Sequence, residues 1–305
     1  MQRKLHGLSV VAFHQLYFTE KLSLREIAGL FGVSHTALYA WFRRHHSDFS
    51  EGLRNHFKRS KYHLNEDFFR TWTPEMAYVL GIFATDGNVQ KYAVSLSSTD
   101  HELVVKVKNL MRSTHPIHTV PPRGYSRKTQ YLLRISSKRI ASELVNLGVG
   151  PRKSRTIHFP KLPAECARHF IRGCWDGDGS LQFRPRPVHL FRRKQGRSAP
   201  GLVASFVSGS RSFILGMAAH LKELGIRPQR QRGLGGTNIA VEPDSLSVYQ
   251  LRRHGKVVSY DLKLHSKNAL EFGKYIYEGV PESMYLTRKY EVWWKACEWV
   301  QTQGR

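Results

Sequence analysis

The spacing of apolar and polar residues changes period several times along the 305 residues. Two segments are apolar nearly all round and then stop on Asp-Gly. One reads YVLGIFATDGN over residues 78–88, the other FIRGCWDGDGS over residues 170–180. Each is long enough for about three turns of a buried helix. Pro74 suits the first turn of the earlier helix, and Glu75 complements its N-terminal dipole. Aligned, Tyr78 matches Phe170, Gly81 matches Gly173, Phe83 matches Trp175 and Asp86 matches Asp178. A glycine inside a helix costs propensity, so Gly81 and Gly173 predict two helices pressed backbone to backbone. Gly87 and Gly179 predict the helix stops.

A second pair of segments repeats downstream with strict alternation. YLLRISSK, residues 131–138, matches YDLKLHSK, residues 260–267, and both read as a strand running into a helix start. Amphipathic helices are predicted near 100–111 and 210–224, and closing helices near 138–147 and 267–277. Each half therefore reads as αββαββα, and the chain as a tandem pseudo-dimer of mixed α+β class.

The first fifty residues follow a different rhythm. SLREIAGLFGVSHTALYAWFRRH, residues 23–45, has the layout of a helix-turn-helix. Ser23 with Glu26 forms a capping box, Ala28 is small where two helices approach, and Gly32 suits the turn. Ile27, Phe31, Val33, Leu38 and Trp41 supply the buried positions, Ser34 caps the second helix, and residues 8–20 add a supporting helix. This segment resembles the helix-turn-helix of resolvase-type and transposase-type DNA-binding domains. The resemblance implies that His35, Thr36, Tyr39 and Arg43 face a major groove. The expected organisation is a helical domain at 1–47, a basic linker at 48–73 with a short extended piece at 67–70, and the two halves at 74–165 and 166–305.

Charge sharpens the picture. Forty-eight Lys and Arg against 23 Asp and Glu give +25 and a pI near 10.3. Such a field attracts polyanions. No acidic residue lies between Asp178 and Glu223, while Arg184, Arg186, Arg192, Arg193, Lys194, Arg197 and Arg211 do. Phosphate contact accounts for that gap economically. The basic stretch has no counterpart in the shorter hairpin of the first half, which predicts an extended hairpin along a nucleic acid. Three widely spaced cysteines make neither a disulfide framework nor a zinc pattern and predict reduced thiols in the cytoplasm. No apolar stretch approaches a membrane span, and the N-terminus is too polar for a signal peptide. Neither an EF-hand nor a phosphate-binding P-loop fits: Leu181 and Pro187 stand where a calcium loop needs Gly and Glu, and residues 147–154 lack the glycine before lysine.

At this point VLGIFATDG and IRGCWDGDG, with the tail YLTRKYEVWWKACEW at 285–299, resemble the signature helices and closing segment of LAGLIDADG homing endonucleases. The likeness extends over roughly residues 65–300. It implies two touching helices at a pseudo-two-fold axis and two sheets forming a saddle over double-stranded DNA. It implies Mg²⁺ held by Asp86 and Asp178 with the adjoining Gly87 and Gly179, Mn²⁺ or Ca²⁺ being able to occupy the same sites. Asp176 is expected to be accessory, because Ala84 stands at the matching place. Catalytic lysines are expected one per half, Lys153 in the first and Lys263 in the second, with Lys161 and Lys256 as alternatives. Lys263 is favoured because the repeat sets it opposite Arg134. Arg134 and the basic stretch from Arg184 to Arg197 are the expected DNA contacts.

The expected activity is site-specific double-strand cleavage by a monomer at a long asymmetric target in chromosomal, phage or plasmid DNA, with an organellar setting as the alternative. No membrane partner and no small-molecule substrate are expected. A non-cleaving transcriptional regulator on the same scaffold and an intron RNA maturase are the competing readings. Intein origin is disfavoured, since the sequence lacks a terminal nucleophile and a His-Asn ending.

Overall fold

In the first fifty residues the expected supporting helix begins as α1, Val10–His14, where Ser9 Oγ accepts from Ala12 N, and continues as a π-helical turn, Gln15–Thr19. The structure is a computed structural model that describes residues 8–20, 22–45, 62–122, 127–184, 201–228, 248–253 and 256–303. It divides into two compact units, residues 1–61 and 62–305. In the first unit, helix α2, Leu24–Leu30, starts on the Ser23/Glu26 capping box, with both reciprocal bonds formed. Gly32 takes φ +58° in the turn, and Ser34 Oγ accepts from Ala37 N at the start of α3, His35–His45. Phe13, Ile27, Ala28, Leu38 and Phe42 form the core; Phe31, Val33 and Trp41 pack against it half-buried.

The second unit repeats one topology twice. The first copy runs α4 (Pro74–Thr85), β1 (Gly87–Val89), β2 (Val94–Ser98), α5 (His101–Leu110), β3 (Ile117–Val120), β4 (Gln130–Ile135) and α6 (Lys138–Asn146). The second runs α7 (Ala164–Asp178), β5 (Ser180–Phe183), β6 (Leu202–Ser208), α8 (Arg211–Glu223), β7 (Val248–Arg253), β8 (Lys256–His265) and α9 (Ser266–Tyr277), followed by α10 (Thr287–Gln303). The sheets have the same antiparallel order, β1-β2-β4-β3 and β5-β6-β8-β7. The duplicated αββαββα architecture of mixed α+β class is therefore present. Pro74 opens α4 as expected, with Thr73 Oγ1 capping Met76 N.

Alternation along each strand sends one face to the core. Leu96, Leu133 and Ile135 do this in the first sheet; Ala204, Phe206, Leu262 and Leu264 do it in the second. The residues between them fall on the opposite face. Register aligns Asn88, Ser95 and Arg134 in one row across the first sheet, and Ser180, Ser205 and Lys263 in the matching row of the second.

The two apolar helices, α4 and α7, join the halves. A Cβ added at Gly81 would fall 2.1 Å from the Phe170 carbonyl oxygen, and one at Gly173 would fall 2.0 Å from that of Tyr78. The glycines lie almost face to face, which brings two apolar helices into direct backbone contact.

Two expectations need correction. Residues 62–73 are not linker: Phe69 is buried in the core of the second unit, Ser137 Oγ donates to Glu66, and Arg139 pairs with Asp67. Nor is 67–70 extended, because Asn65 Oδ1 accepts from Asp67 N and successive turns carry Phe69 inward. Gly87 and Gly179 stop their helices as expected: Gly179 is the C-cap of α7, extended at φ −75°, ψ 157°, and Gly87 follows the Asp86 C-cap of α4 as the first residue of β1. They are needed for space, since the chain folds back over Phe83 and Trp175, where a Cβ would collide.

Candidate active site

Both signature acids sit at helix C-termini. Asp86 is the C-cap of α4, and Asp178 is the last residue of α7. Unsatisfied carbonyls give such ends partial negative charge, so a carboxylate there is disfavoured. The two ends are close: a Cβ at Gly177 would fall 2.1 Å from Thr85 Oγ1 and 3.3 Å from Asp86 Oδ2. Gly177 therefore lets the two helix ends meet, a role that the sequence reading did not assign.

The electrostatics follow from that crowding. Burial, then the Asp178 charge, push the Asp86 carboxyl up to about 6, against the pull of Lys289 and Lys153. Burial also raises Asp178, offset by the same two lysines. Asp178 nevertheless has an exposed surface, whereas Asp86 is half-buried. Water screens Asp178 more, so the effect of burial falls more heavily on Asp86.

Two buried lysines offset the negative charge. Lys153 lies in a 3₁₀ turn, and its ammonium donates to the Thr85 carbonyl at 3.3 Å and to that of Gly87. Lys289, in the first turn of α10, donates to the carbonyls of Trp175 (2.5 Å), Asp176 (2.9 Å), Gly177 (3.4 Å) and Gly179 (2.6 Å). Thr85 and Gly87 flank Asp86 as Gly177 and Gly179 flank Asp178, so the two lysines are symmetric counterparts. Burial lowers both ammonium groups, Lys289 to about 8, while the nearby acids raise them.

Lys263, the expected second lysine, is engaged elsewhere. It lies in the outward row of β8, matching Arg134, and its ammonium pairs with Asp261 at 3.0 Å. The internal repeat correctly set Lys263 opposite Arg134, in a row that faces away from the core. Lys289 was hidden in the sequence because α10 follows the second copy and has no counterpart in the first.

Gly87 and Gly179 differ from expectation in partner. Their carbonyls accept from lysine ammonium groups. Among the described residues no group of three or more His, Cys, Asp and Glu could hold a metal ion. Two repelling carboxylates that share a hard divalent cation, with water and phosphate oxygens completing its shell, still fit Mg²⁺. Asp176 is fully buried and serves structure, accepting from Tyr78 Oη and Leu286 N, both at 2.8 Å.

The other named residues fall as follows. His35, Thr36 and Tyr39 are exposed on α3, and Arg43 lies on the same helix. Arg134 and Arg184 are exposed, and Arg184 N donates to Gly201 O, so the β5–β6 pair holds both ends of the basic stretch. Arg186, Arg192, Arg193, Lys194 and Arg197, and the extended hairpin expected around them, lie outside the described residues. Lys161 and Lys256 are exposed and make none of the lysine-to-carbonyl bonds described above. No helix among the described residues is long and apolar enough to cross a membrane.

Residues 73–148 match the family described as the LAGLIDADG-like domain. This chain carries a LAGLIDADG-like domain. The second copy, from α7 to α9, repeats the topology of that LAGLIDADG-like half. In sequence the chain is similar to DNA-directed RNA polymerase subunit Rpo1C of Methanocaldococcus jannaschii, 27% identical over 108 residues. That match covers 35% of this chain and only 13% of the relative's length. In structure the chain is similar to full-length DUF199/WhiA from Thermatoga maritima (TM-score 0.42, 11% identity, 79% of this chain and 71% of that one). It is also similar to I-SmaMI bound to uncleaved DNA target in the presence of calcium ions (TM-score 0.42, 11% identity, 77% and 93%).

Proposed function

We propose that the chain is a site-specific, divalent-metal-dependent DNA endonuclease whose two LAGLIDADG-like halves each serve one strand. One observation carries the reading: Asp86 and Asp178 end two touching helices at one centre, and a buried lysine flanks each. A protein that only binds DNA gains nothing from two acids with raised pKa turned toward a polyanion. Bound Mg²⁺ would supply charge neutralisation at the scissile phosphate and lower the pKa of its water. The chain's own residues do the rest. Asp86 and Asp178 would hold the cation, while Lys153 and Lys289 neutralise the helix ends and favour the ionised form of both acids. The outward rows ending in Arg134 and Lys263, together with Arg184, suit contacts with backbone and bases. The helix-turn-helix residues His35, Thr36, Tyr39 and Arg43 would extend the footprint. The site would be long and asymmetric, since the two outward sheet faces differ beyond their matching rows, and a single chain supplies both halves.

One observation favours a second reading, a DNA-binding regulator without cleavage: the ammonium groups already occupy the Gly87 and Gly179 carbonyls. The test is incubation of the purified chain with supercoiled plasmid that carries a site selected from a randomised duplex library, in Mg²⁺ or in EDTA. Linear product in Mg²⁺ that disappears in Asp86→Asn and Asp178→Asn is expected. Tight binding without a cut in Mg²⁺ or Mn²⁺ would replace the nuclease with the regulator.

A further inference from the structure

The two lysines are held in different ways, and the difference traces to one buried acid. Asp176, two residues from the end of α7, is 1% exposed. Its Oδ2 accepts from Tyr78 Oη of α4 and from the backbone N–H of Leu286, the residue just before α10. The Leu286 carbonyl in turn accepts from Lys289 N at 2.9 Å and Tyr290 N at 3.1 Å, the first bonds of α10. A carboxylate against the N-terminal end of a helix is favoured by its backbone donors and dipole. Asp176 thus fastens the start of the helix that carries Lys289, while its own carbonyl accepts from the Lys289 ammonium. Arg172 fixes the preceding segment as well: fully buried, it donates to the carbonyls of Met284 and Ile276.

The first half has no such device. Ala84 stands at the matching place, and Lys153 rests on a short turn whose preceding residue, Arg152, is left-handed at φ 54°.

Resting on the nuclease reading above, we infer that Asp176 is a positioning residue that aims Lys289 at the Asp178 half of the centre, with no counterpart in the other half. Asp176→Ala removes the anchor. Asp176→Asn keeps an oxygen acceptor for both donors. Tyr78→Phe removes only the tie between helices.

The test has two readouts. In strand-resolved plasmid cleavage, Asp176→Ala slows one strand tenfold or more and leaves the other near wild type, so nicked circles accumulate. Asp176→Asn and Tyr78→Phe cut both strands within a few-fold of wild type, and DNA affinity is unchanged throughout. In metal-free protein, the slowly exchanging ¹⁵N ammonium signal of Lys289, assigned by its absence in Lys289→Met, persists in Asp176→Asn and Tyr78→Phe and is lost in Asp176→Ala. Equal slowing of both strands, a Tyr78→Phe variant as impaired as Asp176→Ala, or an Asp176→Ala variant with an intact signal overturns the inference. A wild type that cuts neither strand in Mg²⁺ overturns the nuclease reading itself, and this inference with it.

Discussion

Asp86 carries an energetic cost that its position explains. It caps a helix C-terminus, faces a second acid, and has its carboxyl pushed up to about 6 by burial and then by Asp178. The unfolded chain holds such a group near 4, so the folded state binds its proton more tightly. The ionised acid therefore opposes folding above pH 6, and that cost fades as pH falls from 6 toward 4. Without divalent metal, Asp86→Asn is expected to stabilise the second unit by about 1 kcal/mol at pH 7.5, after allowance for partial solvent screening. Thermal melts at pH 7.5 and 5 check this, since the gain should shrink strongly at the lower pH. With Mg²⁺ present the order should reverse, because metal binds only the acid. Cleavage should likewise fall as pH drops below 6, when protons compete for Asp86. A melting temperature that Asp86→Asn leaves unchanged at both pH values would mean that water reaches this carboxylate freely.

At the scale of elements, what counts is how two helices meet. The sequence already showed the meeting, because Gly81 and Gly173 stood at matching places in two buried stretches. It also showed the capping box at Ser23, the duplicated strand-to-helix turns and the acids. It could not show Lys289, since a lysine in a closing helix is indistinguishable from a surface lysine until the chain end is seen to fold back under Trp175. Nor could it show that residues 62–73 join the core, as their charge masked Phe69. The helix contact itself is testable. Gly81→Ala drives a methyl into the Phe170 carbonyl, backbone against backbone, where nothing can rotate away. A loss of about 3 kcal/mol is expected in chemical denaturation. Gly29→Ala makes the contrast: beyond its own helix backbone and chain neighbours, no atom lies within 4 Å of its Cβ site in α2. There the gain in helix propensity should stabilise the first unit by about 0.5–1 kcal/mol.

The whole molecule combines two units of different size that share one polyanion-seeking charge. Each has its own buried cluster, so each has the means to fold by itself. A fragment spanning residues 62–305 keeps Phe69, the Glu66–Ser137 bond and both signature helices, and it should melt where the second unit melts in the full chain. Its DNA binding should differ. Phosphate contacts release counterions, so affinity falls with salt in proportion to the number of contacts made. The full chain, at +25, should lose on the order of a thousandfold in affinity between 50 and 200 mM salt. Removal of residues 1–61 takes away the exposed His35, Thr36 and Tyr39 surface, so the fragment should bind more weakly and with a shallower salt slope. The cutting position should stay the same, because Asp86, Asp178, Lys153 and Lys289 all remain. Fluorescence anisotropy across a salt series, beside mapping of the cut ends, separates the two contributions. An unchanged slope would mean that the first unit makes no phosphate contacts, and a shifted cut would mean that it sets the register of the second unit on DNA.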